Sequence, residues 1–280
     1  MKTFVLIFFA CLAFPMCRAQ HSDTQAALYN VVSGTVIGGI GALINKDKSE
    51  PFFKALFRGS SQGALGGYLV FESKRMMRNF GSEKNYSYVW PSRLLNSTGN
   101  SIILNGAGNR KFGQVWYLNL GFNHLQFNAA KKKIKYRILP MAFAGTIEGF
   151  FRGRLDLLKT LKTGVFIFES KEKFWDANAH VQINSIVYFE GLSEDELYQI
   201  LAHEMIHIYQ YEGLFGLNAY FDNQMESLGR KSKFIKGYNT IFYTDFNQIP
   251  LQLNHEYNSL FDVPYSKRFV EKEAIYFQGK

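Results

Sequence analysis

Nineteen consecutive residues, Ala26–Ile44 (AALYNVVSGTVIGGIGALI), carry no charge and include Gly34, Gly38, Gly39 and Gly41. After the polar break Asn45–Glu50, glycines recur at 59, 63 and 67. That four-residue spacing puts all three on one helix face, where a second helix can approach closely. Two tightly packed helices are therefore expected, and the pattern admits two settings for them. One is a membrane-inserted hairpin within residues 26–71, because the first segment is just long enough to span. The other is a soluble pair packed on the rest of the chain, which suits the polar Ser60, Ser61 and Gln62 of the second segment. Trp90–Asn105 reads as a further helix with Pro91 near its first turn.

The N-terminus has a different texture. Met1–Gln20 has a short basic start, an apolar run Phe4–Phe14 and then Cys17-Arg18-Ala19, the layout of a secretory signal peptide cleaved after Ala19. The apolar run is too short for an ordinary spanning helix, although an uncleaved anchor is the alternative. Export to the periplasm, cell envelope or medium is the expectation. Both cysteines of the chain, Cys11 and Cys17, lie in this segment. Its removal leaves no thiol and excludes cysteine-ligated zinc. The formal net charge of +9 comes with no nucleic-acid motif, and it favours solubility or an anionic membrane surface as a partner instead.

Residues 111–192 read as strands. Gln114–Phe127 alternates large apolar and polar side chains, and Lys133–Ile147, Gly164–Glu169 and Ile183–Phe189 are further β-branched and aromatic runs. A largely antiparallel sheet of four or more strands is expected there. His124 and His180 fall within this region and are read as ordinary strand or loop histidines.

From Ser193 the chain turns helical. Ser193-Glu194-Asp195-Glu196 is a capping box, with serine at the N-cap and glutamate three residues on. The stripe Leu197, Ile200, Leu201 and Ile208 continues the helix, and Gly213 and Gly216 mark its end. Inside it lies His203-Glu204-Met205-Ile206-His207. Histidines at i and i+4 share a helix face and can turn both imidazoles toward one ion, an arrangement that suits tetrahedral zinc. Glu204 lies beside them, within reach of an attacking water as general base.

A catalytic zinc also needs a third protein ligand. The candidates are Glu226, Asp222, His255, Glu271 and Glu273, with Gln210 placed to hydrogen-bond behind the ligands. The HEMIHIYQ stretch followed by PYSKRFVEKEAIYF resembles bacterial gluzincin-type metallopeptidases, in which an H-E-x-x-H helix is answered by an E-x-E-A helix. The resemblance rests on these two motifs, which together span about a quarter of the chain, and the chain ends seven residues after the second glutamate. It implies that the glutamate directly before alanine, Glu273, binds zinc, with Glu226 as the alternative. The first half also resembles bacterial envelope proteins, without a function to transfer.

The expected fold is α+β: a glycine-rich helical module over 22–110, then a zincin-like domain over 111–280 in which a mostly antiparallel sheet packs on the H-E-x-x-H helix. The expected function is zinc-dependent hydrolysis of peptides or proteins, with zinc on His203, His207 and Glu273 and with Glu204 as base. The rival from another class is an envelope interaction or scaffold protein with a structural or degenerate zinc site, for which His255 would be a fourth ligand.

Overall fold

The computed structural model describes residues 22–173, 177–213, 216–265 and 268–279. The expected signal peptide, residues 1–19, lies outside them.

Among the described residues three α-helices come first: α1 (Asp23–Asn45), α2 (Phe52–Glu83) and α3 (Val89–Ala107). The Ser22 hydroxyl caps α1 by accepting from the Gln25 amide. The glycine spacing makes the contact that it implies. A Cβ at Gly34 would sit 2.2 Å from the Gly63 carbonyl oxygen, and one at Gly38 would sit 2.2 Å from that of Gly59. The two backbones touch, and no larger residue fits between them. By length and composition α1 can cross a membrane, but 39% of its apolar window is already covered by protein, and part of that cover is α2. Asn45, at the end of α1, donates its amide to the Ala107 and Ala219 carbonyls and so pins the hairpin to more distant chain.

The strands form two sheets. The first is an antiparallel meander of β1 (Val115–Leu120), β2 (Asn123–Asn128) and β3 (Lys133–Ile138). Gly121, at φ 56°, opens the two-residue turn that splits Gln114–Phe127 into β1 and β2. The second sheet has the order β4-β5-β7-β6, from β4 (Arg154–Leu155), β5 (Phe166–Ser170), β6 (Ala179–Val181) and β7 (Ser185–Phe189). It is antiparallel at its margins, but β5 and β7 run parallel.

Two helices lie within the stretch expected to be all strand: α4 (Pro140–Arg152) and α5 (Leu157–Thr163). The run Lys133–Ile147 is therefore a strand only to Ile138. Pro140 sits at the first helical position, where its fixed φ suits a helix. The residues that α4 buries are Ala142, Gly145, Thr146 and Gly149. Their spacing is helical, but the residues are small, so the large apolar side chains on the other face set the apparent pattern.

The remaining elements are helical: α6 (Glu194–Gly213), α7 (Asn218–Lys231), α8 (Lys233–Ile241), α9 (Gln248–Leu260) and α10 (Phe269–Phe277). The capping box forms as read, with the Glu196 amide donating to Ser193 Oγ and the Ser193 amide donating to Glu196 Oε2. The chain is thus mixed α and β, with helices predominating. Its main core joins Phe71, Met77 and Phe80 of α2 to Leu201, Met205 and Ile208 of α6, Ile167 and Ile186 of the second sheet, and Val270, Ala274 and Phe277 of α10. This core runs across the sequence boundary at residues 110 and 111.

Candidate metal centre

Along α6 every residue from Leu201 to Tyr211 is buried, so both histidines and Glu204 are removed from bulk water. The i, i+4 spacing brings His203 Nε2 and His207 Nε2 to 3.1 Å from each other. Glu271 Oε2 closes the triangle, at 3.3 Å from the first and 3.2 Å from the second. Among the described residues these three side chains are the group able to hold a metal ion. The donor set fits the ion well. Donors around a tetrahedral zinc lie about 3.3 Å apart, and two imidazoles with one carboxylate is a composition zinc accepts.

The outer nitrogens of both rings are engaged. His207 Nδ1 lies 2.9 Å from Gln210 Oε1, and His203 Nδ1 lies 3.2 Å from Gln278 Oε1. A side-chain carbonyl oxygen accepts only from a protonated nitrogen, so these contacts favour hydrogen on each Nδ1, and in the neutral ring, the form that binds a metal, they leave the lone pair on Nε2, directed inward. Tyr265 also lines the site, its hydroxyl 3.0 Å from His203 Nε2.

The electrostatics follow from packing these groups together. Burial alone would lower the His207 pKa, but the Glu271 carboxylate outweighs it and lifts the imidazole to about 9. Burial works against the Glu271 charge, yet hydrogen bonds from both imidazoles hold its carboxyl far below the usual range. Burial raises Glu204, opposed by the neighbouring imidazoles. The triangle alone thus sets a carboxylate against the raised His207 imidazole.

The centre lies in a cleft of about 1450 Å³, whose walls include Gly145 and Glu148 of α4, Ala179–Val181 of β6, and Gln252 and His255 of α9. Glu204, Tyr265 and Arg268 also face it. His180 lines the cleft, with its imidazole pushed down to about 4 by burial.

Of the expected site residues, His203, Glu204 and His207 come together as read. Glu273 does not join them. Glu271 and Glu273 are two residues apart, about 200° around a helix, and they flank the Val270, Ala274 and Phe277 stripe on opposite sides. The first faces the histidines. The second faces α2, where Lys74 Nζ lies 2.7 Å from its carboxylate. The carboxylate that the structure brings to the two histidines is therefore Glu271, not the expected Glu273. The side chain of Glu226, the alternative, lies outside the described residues. Asp222 pairs with Arg110 at 2.8 Å, and His255 stands in the cleft wall outside the three-donor group. The inward position of Glu271 and the contacts of Tyr265 and Gln278 have no signal in local sequence, because each depends on how α10 is rotated against α6. Comparison of the chain with protein-family models, with curated proteins and with solved structures gives no match in any of the three.

Proposed function

We propose that the chain is an exported zinc-dependent peptidase, with His203, His207 and Glu271 holding the ion and Glu204 as general base. The observation that carries this reading is the convergence of the three donor atoms, 3.1–3.3 Å apart, beside Glu204 in an open cleft. A closed structural site would need a fourth protein ligand, whereas catalytic sites keep a position open. A divalent ion bound by these donors supplies Lewis acidity, which acidifies water and polarises a carbonyl.

The chain's own groups supply the rest. Glu204, raised by burial, is suited to take a proton from the attacking water and later pass it to the leaving amine. The Tyr265 hydroxyl, on the cleft side of the centre, is placed to hydrogen-bond a carbonyl oxygen as charge develops on it. The cleft, of about 1450 Å³, has the volume for a peptide segment, and it is the peptide bond that these roles serve. Export rests on the sequence of residues 1–19 alone.

The test is a peptide-library cleavage assay on zinc-loaded protein. Glu204→Gln is expected to keep its zinc and lose roughly 100- to 10,000-fold in rate. His207→Ala is expected to lose both. Full activity in the Glu204→Gln variant would sink the mechanism.

A further inference from the structure

Behind His207 a line of buried polar groups runs away from the cleft. Gln210 Oε1 accepts from His207 Nδ1 at 2.9 Å. The Gln210 amide nitrogen donates to Glu273 Oε2 at 2.9 Å and to the Val270 carbonyl at 3.0 Å. Glu273 Oε1 accepts from Lys74 Nζ at 2.7 Å, and Lys74 donates again to Asn30 Oδ1 at 2.9 Å. Asn30 in turn donates its amide to the Ala26 carbonyl. The line crosses four helices, α6, α10, α2 and α1, and Lys74, Glu273 and Gln210 are each at most 2% exposed.

Its polarity runs one way. An ammonium group only donates, so it faces the carboxylate, and an ionised carboxylate only accepts. Glu273 and the Val270 carbonyl together therefore claim both hydrogens of the Gln210 amide. The amide is left one orientation, with its oxygen toward His207. That oxygen requires a hydrogen on Nδ1, and in the neutral imidazole, the form that binds a metal, the lone pair of His207 then sits on Nε2, toward His203 and Glu271.

A reversed amide would place hydrogen against Nδ1 and put the imidazole hydrogen on the inner nitrogen, where it would block a metal. Burying an ion pair is expensive, and such a pair is weak support for stability in itself. A directional task would account for placing one here.

We propose that Lys74, Glu273 and Gln210 are positioning residues for the metal centre: the buried Lys74–Glu273 pair fixes the Gln210 amide, and that amide fixes His207 in the form that presents Nε2 to the ion. The proposal rests on the reading of His203, His207 and Glu271 as metal ligands, and it gives the glycine-packed helices a part in the site. Close contact of α1 with α2 brings Asn30 against Lys74. The hairpin thereby acts on His207 through three side chains without entering the cleft.

The test reads zinc affinity by competition with a chromophoric chelator, beside the melting temperature of the metal-free protein. Gln210→Glu keeps an acceptor for His207 but sets two carboxylates against each other. Glu273→Gln leaves the amide of Gln210 without a directing charge. Each is expected to weaken zinc binding roughly 10- to 100-fold, the usual cost of disturbing a partner behind a ligand.

Combining the two exchanges the amide and the carboxylate. Position 210 again only accepts from His207, position 273 donates to it, and Lys74 donates to the amide oxygen at 273. The double variant is expected to recover part of the lost affinity, because the Val270 carbonyl, which accepts from Gln210 in the wild type, faces a carboxylate oxygen in every variant that carries Gln210→Glu. Recovery of affinity without recovery of melting temperature would separate positioning from packing.

A double variant that binds zinc no better than the single variants would overturn the proposal, and so would single variants that bind as tightly as wild type. Wild-type protein that takes up no zinc would overturn the metal centre and the positioning role together. Failure of peptide cleavage in zinc-loaded protein would overturn the peptidase reading alone.

Discussion

The contact of α1 with α2 and the contact of α6 with α10 are both close helix pairings, but different chemistry holds them. In the first, glycines bring backbone onto backbone, and Gly34 meets Gly63 with no room for a methyl group. In the second, the interface is crowded with groups that ordinarily stay in water: His203, His207, Gln210, Glu271 and Glu273, all buried. The glycine pairing depends only on shape. The polar pairing depends on partners, because a buried charge or amide without one costs several kcal/mol. Lys74 stands between the two regions, on the glycine-rich helix but spending its charge on α10.

The difference can be broken at three strengths. Lys74→Met keeps the volume and leaves Glu273 buried without its cation. Loss of one partner from such a pair costs about 3–5 kcal/mol, and chemical denaturation should show it. Pairing that change with Glu273→Leu should recover much of the loss, since apolar replacement of both partners removes the stranded charge. Recovery would mark the contact as one of partners rather than of shape.

Gly63→Ala tests the other region. A methyl group there would lie 2.0 Å from the Gly34 carbonyl oxygen, and forced repacking should cost about 1–3 kcal/mol. No second substitution is at hand to repair it. Gly237, inside α8, has nothing within 4 Å of an added Cβ. Gly237→Ala should therefore gain up to about 1 kcal/mol, as alanine is the better helix former. A loss at Gly237 as large as that at Gly63 would mean that close approach is not what sets the cost at Gly63, since an added methyl group at Gly237 meets nothing.

The same contrast explains what the sequence made legible. The four-residue glycine spacing encodes a contact in the chain itself, so the α1–α2 pairing could be read from composition and period. The capping box at Ser193 and the i, i+4 histidines are equally local, and they put His203, Glu204 and His207 on one helix with the two imidazoles together. The choice between Glu271 and Glu273 is not local. Both border the same apolar stripe, and only the rotation of α10 against α6 and α2 decides which carboxylate meets imidazoles and which meets Lys74. α4 escaped for another reason: its buried stripe is made of alanine, glycine and threonine, whose burial carries little hydrophobic signal. Lys74 itself reads as one more surface cation until its partner, 199 residues on, is known.

The central claim is that His203, His207 and Glu271 form the metal centre while Glu273 serves Lys74. Anomalous diffraction at the zinc edge, from crystals of zinc-loaded protein, tests it most directly. The account predicts a single strong peak bonded to His203 Nε2, His207 Nε2 and the Glu271 carboxylate, with Glu273 still paired to Lys74. A peak ligated by Glu273, or one enclosed by four protein ligands, would contradict it.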